Sequence, residues 1–260
     1  MSTLLRFGFF LLAGLFALAA GIGLLWFLAY GVAGPAPEQA QVPALSAPAT
    51  LGWNPEGDVQ IRADDEAGAL AALGYAHGRR RAWSVVLWRQ AALGRLGAWF
   101  GEPALKVDRL ARQLGFEVRA RAAYDALDDE HRALLAAYAG GLDAALREPS
   151  GRLVHEFVLL GIDAEPWEPW HTLALERLFA WLATPPPPPD AFARTDPSVA
   201  AFYDADDALR QMLHLHGFEN SIAWAARDSA GVHFYQRHVY GATVLPFFQE
   251  ASVFIDEDLV

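Results

Sequence analysis

The stretch EAGALAALGYAHGRRRAWSVVLWRQAAL, residues 66–93, contains no proline and has the residue pattern of a helix. Its apolar and weakly polar side chains recur at helical spacing: Leu70, Leu73, His77, Val86, Leu87, Gln90 and Leu93. Such spacing puts them on one face of a helix, and that face has to pack against another part of the chain. The stretch therefore predicts one long helix, or two helices joined near Gly78.

Helical patterns continue after this stretch. Residues 108–114, 117–127 and 173–182 predict shorter helices, and Asp128 is predicted to cap the start of another. Extended patterns occur only before and after this helical region. Their positions are residues 58–62, then two runs that start at Ser221 and Val232, and finally residues 252–255. We predict an α+β fold, with a mostly helical layer on an incomplete antiparallel sheet built from residues 51–62 and 221–256.

The N-terminus contains a long apolar segment. Residues 7–33 carry no charged side chain, and a helix of that length would be roughly 40 Å long, more than the ~30 Å hydrocarbon core of a bilayer. We therefore expect an uncleaved transmembrane anchor within residues 1–34, surrounded by lipid. The small residues Val32, Ala33 and Gly34 leave a cleaved signal sequence as the alternative. Arg6 precedes the segment and no basic cluster follows it, which predicts a periplasmic or extracytoplasmic position for the rest of the chain.

The composition excludes several classes of protein. A net charge of −11 at pH 7 argues against nucleic acid as a partner, because phosphate binding needs clustered Lys and Arg. The absence of cysteine excludes disulfides, thiolate metal sites and a cysteine nucleophile.

Composition also divides the chain into regions. A Pro- and Ala-rich linker is expected at residues 35–50, between the anchor and a helical region at 51–184. A spacer follows at residues 185–220 and opens with five consecutive prolines, which favour a polyproline II conformation. Residues 221–260 are predicted to begin the sheet.

A series of short motifs occurs in a fixed order along the helical region. They are ALGYAHGRRRAW at 72–83, GRL at 94–96, FG at 100–101, DR at 108–109, RQLG at 112–115, LAAYAGG at 135–141, EFVLLG at 156–161 and EPWEP at 165–169. In this order they resemble the N-terminal third of the penicillin acylase (penicillin amidase) family of N-terminal-nucleophile hydrolases. That family also includes cephalosporin and acyl-homoserine-lactone acylases. The resemblance implies part of an αββα fold and an amide hydrolase activity.

The resemblance also implies a nucleophile. In the family a precursor cuts itself in front of a Ser, and the matching segment here is Asn220-Ser221-Ile222-Ala223-Trp224. Ser221 would be that nucleophile, and the α-amino group freed by the cut, with an ordinary pKa of about 8, would be its base. His238 corresponds to the His of the family's Asp-Pro-His motif after the second strand.

Further site residues follow from the same resemblance. Trp83, Trp88 and Phe100 lie where the family borders its acyl pocket; the alternative is that they are ordinary core residues. Asp190 lies near the family's acidic ligand for a structural calcium ion, and no other cofactor is implied. His77 is expected to be a satisfied core or interface histidine.

This sequence departs from the family in two ways. Ile222 replaces the Asn that follows the family's nucleophile, and the chain ends shortly after Ser221, whereas family members continue and supply the oxyanion donors there. We therefore expect a second polypeptide that completes the sheet and the site, or a homo-oligomer. The alternative function is a membrane-anchored, non-catalytic accessory or structural subunit of a larger membrane complex.

Overall fold

The computed structural model describes residues 3–26, 39, 41–42, 45, 47–54, 58–147, 155–183, 196–213, 220–228, 231–239, 251–255 and 258–259. Helix α1 spans Thr3–Trp26. No other described residue buries its segment Gly8–Leu25, and α1 is the one described helix that is long and apolar enough to cross a membrane. Residues 27–33 of the predicted anchor, and the proline run at 185–189, lie outside the described residues.

Helix α2, Glu66–Ala92, runs through the centre of the helical region. It begins at Asp65, whose side chain accepts a hydrogen bond from the Gly68 backbone N–H at 2.6 Å. A non-helical backbone at Arg81 (φ −135°, ψ 24°) bends it, three residues after the predicted joint at Gly78. The helix is therefore continuous in sequence but consists of two differently directed halves.

Helix α6, Asp129–Arg147, packs closely along α2. Glycines make this approach possible: a Cβ on Gly74 would overlap the Tyr138 carbonyl oxygen, and a Cβ on Gly78 would lie 2.6 Å from that of Ala145. The predicted cap of α6 is confirmed, because the Asp128 carboxylate accepts from the His131 backbone N–H at 2.9 Å.

The remaining helices pack around this pair. They are α3 (Gly97–Phe100), α4 (Leu105–Leu114), α5 (Phe116–Ala126), α7 (His155–Leu160), α8 (Pro169–Ala183) and α9 (Pro197–Met212), with a 3₁₀ turn at Glu102–Ala104. The main core, shared with α2, contains fully buried leucines that lie in α6, α8 and α9 or directly beside α3 and α9: Leu142, Leu178, Leu182, Leu209, Leu96 and Leu213. Helix α9 lies within the region predicted as a spacer, residues 185–220.

A four-stranded sheet has the order β1-β2-β5-β6, with β1 at Thr50–Trp53, β2 at Val59–Ala63, β5 at Ala251–Ile255 and β6 at Asp258–Leu259. The prediction of an antiparallel sheet is wrong for its centre, because β2 and β5 run parallel with Ile61 opposite Val253. Strands far apart in sequence are joined by a long crossover, so no hairpin turn forces them to be antiparallel.

The helical layer covers one face of this sheet. Val59 and Ile61 are fully buried against the small side chains Ala69, Ala72 and Ala76 of α2. On the other face Gln60 and Arg62 are exposed, and the Arg62 guanidinium lies 4.5 Å from the centre of the Phe254 ring. The α+β prediction is confirmed, with a small mixed sheet.

Strands β3 (Asn220–Asp228) and β4 (Gly231–Val239) form a separate two-stranded antiparallel sheet. The prediction had placed them with residues 51–62 in one sheet. Because only two residues separate β3 from β4, they pair with each other as a hairpin.

Candidate functional site

The hairpin brings the two predicted catalytic positions together. Ser221 is the second residue of β3 and is paired in the strand register with His238, near the end of β4. These residues are 17 apart in sequence, and the antiparallel pairing alone makes them cross-strand neighbours. The backbone therefore places Ser221 and His238 next to each other on adjacent strands. Their roles in catalysis remain predictions.

The three predicted acyl-pocket residues fall in two places. The ring of Trp83 stacks on Trp99 (centroids 5.8 Å apart, 23° between planes), and Trp99 contacts Phe100 edge to face at 6.4 Å. Phe157 of α7 packs against the Trp83 ring at 5.7 Å. Trp83, Trp99, Phe100 and Phe157 thus form one partly buried aromatic cluster. Trp88 lies in the main core instead, 4% exposed and edge to face with Phe179 at 5.3 Å.

Asp108 holds the loop that carries Trp99 and Phe100. One carboxylate oxygen accepts from the Leu96 backbone N–H at 2.7 Å and the other from that of Gly97 at 2.8 Å. Asp108 is itself buried, so it satisfies two N–H groups where water is excluded. It therefore fixes the start of α3.

Gly94 gives this loop its direction. It has a positive φ of 63°, and its carbonyl oxygen accepts from Arg112 at 2.5 Å. Glycine adopts this conformation without steric cost. Arg112 and Asp108, both on α4, thus hold the loop at Gly94 and at Leu96 and Gly97, directly before the residues of the aromatic cluster.

His77 and Tyr138 form a polar contact across the α2–α6 interface. The His77 Nδ1 lies 2.8 Å from the Tyr138 hydroxyl. Burial, assisted by the charge of Arg81, lowers the pKa of His77 to about 4, and burial raises the pKa of the Tyr138 phenol above its ordinary value. Both groups are uncharged near pH 7, and the histidine tautomer sets which of them donates the hydrogen bond. His77 is a satisfied interface residue, as predicted.

Arg89 is a buried cation that the sequence did not single out. It is 0% exposed, and its Nη1 donates to the carbonyl oxygens of Glu165 (2.9 Å) and Pro166 (3.1 Å). Its guanidinium also lies 5.4 Å from the centre of the Trp167 ring. Arg89 therefore ties α2 to the EPWEP motif. Among the described residues its Nε and Nη2 have no hydrogen-bond partner.

The EPWEP motif is followed by a buried histidine. His171 accepts at Nδ1 from the Glu168 backbone N–H at 2.9 Å, which requires the uncharged ring. Burial lowers the pKa of His171 to about 3, and the charges of Arg89, Arg95 and Arg121 act in the same direction. His171 is thus a structural acceptor near neutral pH.

Metal binding has no support within the described part of the chain. No group of three or more His, Asp or Glu side chains there is arranged to hold a metal ion. Asp190, the predicted calcium ligand, lies outside the described residues, so this ligand stays a prediction.

Three arginines follow one another in α2, at residues 79–81. The guanidinium of Arg80 lies over the ring of Trp53, 4.3 Å from its centre.

Comparison with solved structures identifies the class of fold. The thermostable penicillin G acylase from Alcaligenes faecalis superposes with a TM-score of 0.52 at 18% identity. The match covers 68% of this chain and 94% of that chain. The described chain therefore has the fold of this part of a penicillin acylase.

Sequence comparison then gives the family. The sequence model of the penicillin amidase family matches residues 48–230, a range that includes Ser221. The chain belongs to the penicillin amidase family.

Individual relatives match a shorter range. Penicillin acylase 2 proenzyme of Pseudomonas sp. (strain SE83) is 40% identical over 136 residues, 52% of this chain and 17% of that protein. The acyl-homoserine lactone acylase QuiP of Pseudomonas syringae pv. syringae (strain B728a) is 33% identical over 101 residues, 39% of this chain and 12% of that protein. The matches thus span less than a fifth of the length of either relative.

Proposed function

We propose that this chain is the part of an amide hydrolase that carries the nucleophile, with Ser221 made the nucleophile by cleavage of the Asn220–Ser221 bond. The observation that carries the proposal is the family match, which continues past Ser221 to residue 230. The pairing of Ser221 with His238 supports it further, as does the name of one relative, which is called a proenzyme.

The chemistry of the cut requires only Ser221, the bond before it and water. The Ser221 hydroxyl oxygen adds to the carbonyl carbon of Asn220, the C–N bond breaks, and the hydroxyl proton ends on the Ser221 nitrogen. Water then hydrolyses the resulting ester, which releases the Asn220 carboxylate and restores the Ser221 hydroxyl. The product is a Ser with a free α-amino group.

That α-amino group supplies the base that a Ser hydroxyl otherwise lacks. With an unperturbed pKa of about 8, a useful fraction is uncharged near pH 7. Ser221 then attacks an amide carbonyl, forms an acyl ester and releases the amine, and water releases the acid. His238, the cross-strand neighbour of Ser221, is proposed to hold this end of the hairpin in place.

A further polypeptide is proposed to complete the site. Each oxyanion donor typically contributes about 3–4 kcal/mol to the transition state, so a hydrolase of this type needs them. The matched part of the curated relatives is under a fifth of their length. The open face of the sheet with Gln60 and Arg62 is one surface where such a chain could bind.

The proposed location is the outer face of a membrane. Helix α1 has the length and composition of a membrane span, and Arg6 lies before the segment Gly8–Leu25. Positively charged residues next to a membrane span tend to stay on the cytoplasmic side. Arg6 would therefore keep the N-terminus in the cytoplasm, and the residues after α1 would lie on the periplasmic or extracytoplasmic side.

The test is intact mass and N-terminal sequencing of the protein purified from membranes, for the wild type, Ser221→Ala and a control, Ser198→Ala. Wild type and control are expected to yield a fragment beginning at Ser221, and Ser221→Ala is expected to stay uncut. The cut preparation, with any co-purifying chain, is then assayed for release of amine from a penicillin and from an N-acyl-homoserine lactone.

One observation favours a second function. Ile222 occupies the position of the Asn that follows the family's nucleophile. A folded wild type that stays uncut in its membrane would overturn the hydrolase proposal and support a non-catalytic subunit of a larger membrane complex. Stable co-purification with other membrane proteins would then be expected.

A further inference from the structure

Helix α9 is the last described helix before the hairpin. Its Leu209 and the following Leu213 are fully buried in the main core, and Leu213 is the last described residue before Asn220. Seven residue steps reach at most roughly 25 Å, so the position of α9 limits where Asn220 can lie. A buried contact that fixes the position of α9 therefore also constrains the bond proposed to be cut.

A closed polar network fixes α9 to the end of α8. Arg210 donates through Nε to Asp206 (2.8 Å), through Nη1 to the Leu182 carbonyl (2.8 Å) and through Nη2 to the Trp181 carbonyl (3.3 Å). The Trp181 indole N–H donates to the other oxygen of Asp206 at 2.6 Å. Asp206 is 3% and Arg210 7% exposed, so this network is shielded from water.

The network sets geometry more than stability. A buried ion pair has a desolvation cost that offsets much of its attraction, so apolar residues of similar size can replace it with little loss of stability. The planar guanidinium, in contrast, restricts direction, because it reaches the Leu182 and Trp181 carbonyls of α8 only within a narrow range of α9 positions, while Asp206, on α9 itself, fixes its orientation. The leucines of α9 alone impose no such restriction, since apolar packing is non-directional.

We infer that Arg210, with Asp206, is a positioning residue for cleavage of the Asn220–Ser221 bond. This inference rests on the proposed function. Arg210 does not contact the reacting atoms; it holds the helix from which the chain runs to the scissile bond. Small displacements of reacting groups are costly, since an error of 1 Å caused by a distant mutation can slow a reaction about 100-fold.

The test compares the rate of cleavage in full-length variants, measured by intact mass over time, with their thermal unfolding. The double variant Arg210→Met/Asp206→Leu removes the network without leaving an unpaired buried charge. Arg210→Lys keeps the charge and one bond, and Asp206→Asn keeps the shape of the side chain. Lys106→Met is the matched control: it removes the exposed ion pair between Lys106 and Asp204, which also joins α9 to a neighbouring helix.

We expect the double variant to remain folded but to be cut about 10- to 100-fold more slowly. Arg210→Lys should be cut at an intermediate rate and Lys106→Met at the wild-type rate. A folded double variant cut as fast as the wild type would overturn the inference. If that variant does not fold, the cleavage rate of Asp206→Asn is measured instead, and a wild-type rate in Asp206→Asn would also overturn the inference. A wild type that is never cut would overturn the proposed self-cleavage and this inference together, whereas equal rates overturn the inference alone.

Discussion

Gly141 of α6 lies directly on the backbone carbonyl of Ala71 in α2, so closely that a Cβ at position 141 would overlap the Ala71 oxygen. Ala71 is fully buried, and neither helix can shift without disturbing the core on its other side. We expect Gly141→Ala to lower the free energy of unfolding by about 1–3 kcal/mol through overpacking, although alanine favours a helix by about 1 kcal/mol. Chemical denaturation followed by circular dichroism measures this change.

Gly52 provides the control for this substitution. A Cβ added to this residue of β1 would meet nothing within 4 Å. We expect Gly52→Ala to leave the unfolding free energy unchanged within about 0.5 kcal/mol. Equal stability of Gly141→Ala and the wild type would show that α2 and α6 can separate freely, contrary to the structure.

The helices were predictable because their signals are local. Residues 66–93 predicted a helix that the structure places at Glu66–Ala92, and Asp128 was identifiable as a cap from its position before two acidic residues. The parallel pairing of β2 with β5 was not predictable in this way. It joins Ile61 to Val253, and no pattern within either strand records the direction of such a distant partner.

The candidate site was predictable in part. The motif at 220–224 and the position of His238 identified two residues that the hairpin register does place opposite each other. Arg89 was missed because its partners are backbone carbonyls of Glu165 and Pro166, which leave no signature in sequence. The sequence does contain one indication, because Arg89 is the single charged residue of an otherwise uncharged and largely apolar run. A charged residue buried in this way has to bind polar groups of another segment, here the carbonyls of Glu165 and Pro166.

Asp108 is expected to stabilise the loop before α3. Asp108→Asn leaves one oxygen acceptor for the two backbone N–H groups of Leu96 and Gly97, and its amide N–H₂ faces the other donor. A buried donor without a partner costs about 1–3 kcal/mol, so urea denaturation should show a loss of stability of that size. Asp204→Asn, at the exposed ion pair with Lys106, is the control and should change stability by less than about 1 kcal/mol. Identical losses in both variants would contradict the assignment.

Helix α1 is expected to retain the chain in a membrane. The wild type should remain in the membrane pellet after extraction with alkaline carbonate, because its apolar span Gly8–Leu25 is not buried by any part of the chain that the structure describes. A variant without residues 1–34 should be released into the soluble fraction. Recovery of a mature wild type that begins near Gly34 would instead identify the segment as a cleaved signal sequence.

His171 is expected to make stability depend on pH in the acid range. Its pKa is about 3 in the folded chain and about 6.5 when unfolded, so between these values the unfolded chain binds more protons. The contribution of His171 to stability is therefore complete above about pH 6.5 and is lost as the pH falls towards 3. His171→Asn keeps an acceptor for the Glu168 N–H and removes the titration. It should lower the slope of unfolding free energy against pH by at most about 1.4 kcal/mol per pH unit.

His131 supplies a control of opposite sign for the same experiment. It is exposed at the start of α6, and its hydrogen bond to the Asp128 carboxylate raises its pKa. Its folded form binds the proton more tightly than its unfolded form, so its contribution is present at low pH and disappears as the pH rises through its folded pKa. Removing His131 should therefore abolish a fall in stability above about pH 6.5 and leave the slope between pH 3 and 6.5, which removing His171 flattens, largely unchanged. A profile that His171→Asn leaves unchanged between pH 4 and 6.5 would mean that His171 already accepts a proton in the folded chain, and its bond from Glu168 would then have to be absent.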